Sequence, residues 1–320
     1  MSYIFILLGL LLLIKGGDYL IEGSVVIARR AKLSPMIIGL TVIGFGTSMP
    51  ELCVSAQAAW TGSAGIALGN VAGSNIANIA LILGITALIH PIPARPDILR
   101  RGMPVFVLSL IIIIAAASGG TIERWMGVAM VGLLIAYLYI EIRRSRRMEA
   151  ANGDDGQQGK DMPLWKALLT VGLSLAAMVW GSDMLVGGAS DIAHSIGESM
   201  GVDPVEMERI IGLTIVAVGT SLPELCASVI AARKGETDMA VGNIIGSGIF
   251  NILCVVGMAS IISPINNAWT PFAVDYMVQL SLCLLLWLFL RTNRMLQRWE
   301  GGVFTALYVG YILFVLYSAS

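Results

Sequence analysis

The chain has 320 residues, 57% of them hydrophobic and only 13% charged, with a formal net charge of −1. Mean hydropathy is +0.83. That much apolar surface excludes a soluble domain and indicates an integral membrane protein, and the near-neutral charge excludes a polybasic nucleic-acid binder.

Apolar runs separated by charged or turn-rich stretches predict ten membrane spans, at 2–27, 35–60, 64–89, 103–118, 124–142, 164–186, 210–232, 238–262, 272–290 and 302–318. A crossing helix needs about 20 residues, and tilted helices run longer. The first span is apolar from Tyr3 to Ile14 without a basic leader or a small-residue cleavage site, and is expected to be retained. The run 103–118 is short for a span, so its limits are the least defined. The polar segment Arg143–Asp161, with Gly-Asp-Asp-Gly at 153–156, reads as a linker. It divides the chain into a first half at 1–142, a linker at 143–163 and a second half at 164–320. The second half adds the acids Glu198, Asp203, Glu206 and Glu208 before its seventh span, which read as a solvated acidic loop.

The halves are related. Sliding Gly39–Gly84 by 173 positions lays it on Gly212–Gly257 without a gap, with 23 identities in 46 pairs. Gly46-Thr47-Ser48-Met49-Pro50-Glu51 falls on Gly219-Thr220-Ser221-Leu222-Pro223-Glu224. Gly69-Asn70-Val71-Ala72-Gly73-Ser74-Asn75-Ile76-Ala77-Asn78 falls on Gly242-Asn243-Ile244-Ile245-Gly246-Ser247-Gly248-Ile249-Phe250-Asn251. Gly17-Asp18-Tyr19-Leu20 is echoed more weakly by Ser182-Asp183-Met184-Leu185. With both termini outside, 17 of the 20 Lys and Arg fall on cytoplasmic connections, leaving Arg124 and Arg209 outside and Lys15 within the first span. An odd number of spans per half then inverts the second half relative to the first, the arrangement that alternating access uses.

Glu51 and Glu224 carry the sharpest chemistry. A carboxylate deep in a bilayer costs about 2.5–3.5 kcal/mol even on the gentlest insertion scale. Each follows a proline, which removes an amide donor and clashes with the preceding turn, so carbonyls around Gly44–Thr47 and Ala217–Thr220 are expected to lose helical partners. Such irregular backbone is tolerated only where it lines a cavity or is buried in protein. Carbonyls, hydroxyls and carboxylates are hard donors that suit Na⁺ or Ca²⁺ rather than zinc or copper. Ser74 and Asn78, like Ser247 and Asn251, are four apart and share a helix face, with the two amides read as ligands. The pairs Gly69/Gly73 and Gly242/Gly246 read as close-packing positions. Ser55 and Ser228 are expected to bond their own helix backbone, and Cys53, Cys226, Cys254 and Cys283 to be small buried hydrophobes. Asp18, Asp183 and Asp191 are open between structural and access-path roles.

The paired Gly-Thr-Ser-x-Pro-Glu and Gly-Asn-x-x-Gly-Ser-x-x-x-Asn segments resemble the two alpha repeats of the sodium/calcium exchanger family, within the cation/calcium exchanger superfamily. The resemblance implies an all-α fold of ten transmembrane helices, two inverted five-helix repeats and broken repeat helices around a midplane cation cluster. It makes Glu51 and Glu224 shared ligands of Ca²⁺ and Na⁺, with Thr47, Ser48, Thr220 and Ser221 beside them. Ser74 and Ser247 would serve flanking Na⁺ sites with the carbonyls of Gly44 and Ala217, and Asn78 and Asn251 would complete the central site. Some relatives carry an acid at the position of Asn251, and potassium-dependent relatives have an Asp there, so potassium coupling is not expected. Gly248, standing opposite Asn75, makes the two halves of the site unequal.

The implied activity is Na⁺/Ca²⁺ antiport across the cytoplasmic membrane, with the long first and sixth spans sliding against the repeat helices. Two Glu charges are balanced by one Ca²⁺ or two Na⁺, so a third Na⁺ would make exchange electrogenic. Cation/proton antiport is the alternative, because the same carboxyls can carry protons; a cation channel is a further one. An enzyme is not expected, since Ser48 and Ser221 have no neighbouring base and His90 and His194 fall at span ends. No cofactor beyond the transported ions and no obligate protein partner are implied.

Overall fold

A computed structural model describes residues 2–62, 65–152, 162–200, 219–266, 268–270 and 272–319. The described chain is almost wholly helical. Its helices are α1 (Ser2–Ala31), α2 (Pro35–Thr47), α3 (Met49–Trp60), α4 (Ile66–Ile89), α5 (Ile98–Ser118), α6 (Arg124–Asn152), α7 (Leu164–Met200), α8 (Leu222–Arg233), α9 (Thr237–Ile262), α10 (Ala273–Asn293) and α11 (Arg298–Ala319). Among the described residues seven helices are long and apolar enough to cross a bilayer, or eight spans when α2 and α3 are taken together. The expected spans 210–232 and 302–318 are not among those eight, and the first begins outside the described residues.

Some boundaries differ from the expectation. The span at 103–118 starts earlier, at Ile98, through a wide π turn over Ile98–Gly102. The expected linker begins as helix, because α6 continues to Asn152. Arg143, Arg144, Arg146, Arg147 and Met148 are good helix formers, and nothing in that stretch breaks the helix. Likewise α7 runs on to Met200, well past the expected end at 186.

α1 and α7 form an antiparallel pair. Gly23 of α1 faces Ala167 and Val171, Gly16 faces Ser174 and Met178, and Gly9 faces Gly181 and Leu185. The approach is so close that a Cβ at Gly9 would stand 2.5 Å from the Gly181 carbonyl oxygen. Small residues in register let two backbones meet, which is how helices associate where no hydrophobic effect separates them from lipid.

The remaining helices pack around α4 and α9, which are mostly buried, whereas α1, α6 and α7 turn much of their surface outward. One apolar core joins α4, α5, α9 and α10 through Ile79, Phe106, Ile249 and Leu286. A second joins α1, α7 and α8 through Leu13, Leu20, Met178 and Ala227. Trp60, Trp125, Trp165 and Trp299 stand exposed at helix ends, as in an interfacial aromatic belt. Two short antiparallel ladders tie the connections together. β1 (Ile92–Pro93) pairs with β4 (Met295–Leu296), and β2 (Thr121–Ile122) pairs with β3 (Ile265–Asn266).

Gly9→Leu should push α1 from α7 and lower stability by about 1–3 kcal/mol, the usual cost of overpacking. A thermal melt of purified protein in detergent checks this against Gly310→Ala, whose added methyl meets nothing within 4 Å and should leave the melt unchanged.

Candidate functional site

The site forms where the bent α2–α3 segment and the start of α8 meet the two central helices. Pro50 occupies the second position of α3, and its ring prevents α2 from continuing straight; the axes meet at 45°. Ser48 at the corner has φ −84° and ψ 4°, and Ser221 before α8 repeats this with φ −93° and ψ 4°. Both breaks place a glutamate in the first turn of the helix that follows, Glu51 in α3 and Glu224 in α8. Unpaired amides at a helix start favour negative charge there.

Glu51 and Glu224 are both buried. The Ser74 hydroxyl donates to Glu51 Oε1 at 3.3 Å, and the Thr47 hydroxyl lies beside Glu224. Both hydroxyls come from the first half, one serving its own carboxylate and the other lying beside the second half's. α2 is pressed across α9: Ser247 donates to the Gly44 carbonyl at 3.3 Å, and Thr47 donates to Asn243 Oδ1 at 3.3 Å. Gly246 permits this crossing, because a Cβ there would be 2.4 Å from the Leu40 carbonyl oxygen.

An amide brace recurs in both halves. Asn70 Nδ2 donates to the Glu51 carbonyl at 3.2 Å and to Ser55 Oγ at 3.0 Å. Asn243 Nδ2 donates to the Glu224 carbonyl at 3.5 Å and to Ser228 Oγ at 3.0 Å. Ser55 and Ser228 therefore receive bonds from a neighbouring helix, rather than serving only their own backbone as expected. The amide reaches them because it must also satisfy the glutamate carbonyl one turn earlier. The Gly44 carbonyl likewise keeps a helical partner, Ser48 N at 3.1 Å, so proline does not free it. Its second lone pair takes Ser247.

Beyond the braces both central helices widen. A π-helical stretch covers Ala77–Leu83 in α4 and Asn251–Val256 in α9, beginning at or beside Asn78 and Asn251. Such turns recur at functional positions, where one extra residue per turn re-aims a side chain. Asn75 is also fully buried, donating to the Gly248 carbonyl at 3.3 Å and accepting from Asn251 Nδ2 at 3.0 Å.

Among the described residues nine buried side-chain polar atoms have no hydrogen-bond partner, and eight of them belong here. They are Ser48 Oγ, Ser221 Oγ, Glu51 Oε2, both Glu224 oxygens, both Asn78 amide atoms and Asn251 Oδ1; the ninth is Ser24 Oγ. Folded proteins pair almost all buried polar groups, so a cluster of orphans, seven of eight of them oxygen, asks for a cation. Among the described residues no group of three or more His, Cys, Asp or Glu is assembled to hold a metal, so the donor set relies on hydroxyls and amides beside two acids.

The other predicted positions are as follows. Thr220 sits in the turn before α8 and, with Pro50, Ser182, Asp183 and Gly219, lines a cavity of about 100 Å³. Ala217 lies outside the described residues, as do Asp203, Glu206 and Glu208. Asp18 pairs with Lys234 at 3.1 Å and Asp191 accepts from Ser2 at 3.0 Å, while Asp183 faces the cavity. Gly242 packs on Met36 as expected, but no equally close contact is made by Gly69 or Gly73 among the described residues. Cys53 is exposed and Cys226 and Cys254 half-buried, because only one face of each helix is needed for packing; Cys283 alone is buried. Asn75, Asn70 and Asn243 were not read as site residues. The repeated Asn70/Asn243 pair was a visible signal, whereas Asn75 departs from the repeat and so escaped it.

A family model described as "Sodium/calcium exchanger protein" matches residues 1–143 and 166–317. The chain is 31% identical over 353 residues to the sodium/calcium exchanger MaX1 of Methanosarcina acetivorans, covering 99% of each. It is 35% identical over 281 residues to the inner membrane protein YrbG of Escherichia coli, covering 86% of this chain and 84% of that protein. The solved structure of the sodium-calcium exchanger NCX_Mj, soaked with 2.5 mM Na⁺ and 0.1 mM Ca²⁺, superposes with a TM-score of 0.80 at 34% identity, covering 98% and 97% of the two chains.

Asn243→Ala removes the bonds to Ser228, the Glu224 carbonyl and Thr47 together. It should lower stability by about 1–3 kcal/mol, as expected where buried polar partners are stranded. Asn70→Ala, at a half-buried position, should cost less; paired thermal melts decide the order.

Proposed function

The chain belongs to the sodium/calcium exchanger family, and from that premise we propose that it is a secondary active antiporter moving Ca²⁺ against Na⁺ across the cytoplasmic membrane. The observation that carries this reading is the cluster of eight unpaired buried polar atoms around Glu51 and Glu224. In the proposal, Glu51 and Glu224 bind either ion, with Thr47, Ser48, Thr220 and Ser221 supplying oxygens at the two corners. Asn78 and Asn251 close the central site. Ser74 and Ser247 serve flanking Na⁺ sites with the carbonyls of Gly44 and Ala217. Both ions need the same two carboxylates, so each displaces the other.

The chain is proposed to have ten spans in two halves, 1–142 and 164–320, joined by a cytoplasmic linker at 143–163. The interruption of the family match at 144–165 supports the division. Inversion of the second half is supported by the strand ladders. β1 and β3 are repeat equivalents, 173 positions apart, yet each pairs with the other half's second strand rather than with its twin. A span separates β1 from β2 and another separates β3 from β4. Hydrogen-bonded strands must share a membrane face, so the twins β1 and β3 fall on opposite faces. Both termini are then outside by the charge bias.

α1 and α7 are the proposed moving pair, because their close mutual packing lets them travel as one unit along the repeat helices. Alternating access by one bundle rocking or sliding on another is the usual use of such a division. Three Na⁺ on two carboxylates leave the loaded site at +1, and exchange for one Ca²⁺ moves one net charge. That charge is worth about 2.3 kcal/mol per 100 mV. Na⁺ is favoured over H⁺ as the coupling ion by the hydroxyls grouped around the glutamates, which a proton alone would not require.

In proteoliposomes an outward Na⁺ gradient should drive Ca²⁺ uptake, and an inside-positive potential should speed it, because each cycle carries one net positive charge outward. Glu51→Gln and Glu224→Gln should each bring uptake down to that of protein-free vesicles. Uptake driven by a pH gradient with Na⁺ absent would establish proton coupling instead, and single-channel currents would establish a pore.

A further inference from the structure

The repeat makes Asn75 and Gly248 equivalent, yet they are as unlike as two residues can be. Gly248 has no room for a side chain, since a Cβ there would lie 2.4 Å from the Phe106 ring. Asn75 fills its own position with a fully buried amide. That amide can be oriented in only one way. The Gly248 carbonyl oxygen accepts only, so the Asn75 atom 3.3 Å from it must be Nδ2. Oδ1 of Asn75 then faces Asn251, and the Asn251 atom 3.0 Å away must be its NH₂. The oxygen of Asn251 is left without a partner, one of the eight buried orphan atoms.

Asn78 is the control that the molecule itself supplies. It stands at the position equivalent to Asn251, but its corresponding neighbour is Gly248. Among the described residues both of its amide atoms are unpaired, and none chooses between its oxygen and its nitrogen.

We propose that Asn75 is a positioning residue that locks the Asn251 carboxamide with its oxygen toward the transported cation, leaving Asn78 as the one amide free to turn. This rests on the reading of the cluster as the cation site. The consequence is a built-in inequality: one neutral ligand is a fixed oxygen donor, and its twin adapts to the ion present. A neighbour that hydrogen-bonds to a ligand and orients it commonly governs metal affinity by about 10–100-fold.

The test is Ca²⁺ uptake in proteoliposomes, measured as half-saturating Ca²⁺ and maximal rate. Asn75→Ala should raise half-saturating Ca²⁺ by roughly 10-fold and change the maximal rate little. The decisive comparison is the same substitution in an Asn251→Asp background. Both outer atoms of a carboxylate are oxygens, so there is no orientation to fix and one of them would face Asn75 Oδ1; Asn75→Ala should there leave half-saturating Ca²⁺ unchanged or lower it. An equal rise in both backgrounds would assign Asn75 a merely structural role and overturn the proposal, as would no rise in the native background. If Asn75→Ala does not yield folded protein, Asn75→Ser is read by the same two outcomes. Glu51→Gln run in parallel separates the two readings: if it transports normally, the cation cluster itself is wrong. If it is inactive and Asn75→Ala is normal, only the positioning role falls.

Discussion

Two fully buried carboxylates inside a membrane protein are the constraint that everything else answers. Among the described residues three of their four oxygens have no hydrogen-bond partner, the one exception being Glu51 Oε1 with Ser74. Breaking a helix, burying a string of amides and holding glycines at crossings all carry a cost. Each is explained by the need to bring two acids to one place and leave their oxygens free. Buried charge of this kind calls for a compensating positive charge, which in the proposed antiport is the transported cation.

The scaffold solves this by separating the groups that hold from the groups that bind. Asn70 and Asn243 spend their amides on the glutamate carbonyls and on Ser55 and Ser228, fixing the backbone of each acid-bearing turn. Asn75 spends its amide on Gly248 and Asn251. The atoms left without partners belong to Ser48, Ser221, Glu51, Glu224, Asn78 and Asn251. Rigid positioning of this kind avoids reorganisation each time an ion enters. Around it the ladders β1–β4 and β2–β3 lace the two halves together at the connections, so α4, α5, α9 and α10 form one body. α1 and α7 share a different core with α8, and their contacts include small and apolar side chains, such as Leu175 on Gly46 of α2 and Ile230 of α8 on Gly17. A contact of that kind can slip; a network of buried amides cannot without stranding its members.

Membership of the exchanger family, the membrane class and the pairing of the two motifs were legible from residues alone. Apolar runs are long and few other folds tolerate them, and a gapless repeat with two Pro-Glu steps is hard to mistake. Glu51 and Glu224 announced themselves because an acid in an apolar run is costly. The hydrogen-bonding roles of Ser55, Ser228 and the Gly44 carbonyl were not legible. Local rules describe a hydroxyl on its own helix, and the competing partner came from a helix elsewhere in the chain. The helical extensions of α6 and α7 were missed for a related reason, since hydropathy marks where lipid ends and not where hydrogen bonding does.

By itself, then, the sequence determined which groups had to be compensated: two acids, their flanking hydroxyls and a repeated amide, all in segments too apolar to leave the membrane. Only the tertiary structure decided how those groups divide their bonds, because an amide or hydroxyl has several lone pairs and protons to assign. Asn75 shows the difference most clearly. In the sequence it is an unmatched residue opposite a glycine, whereas in the fold the Phe106 ring requires that glycine and the Gly248 carbonyl turns the Asn75 amide. Periodicity cannot express which atom of an amide faces which neighbour, since that depends on contacts between segments far apart in the chain.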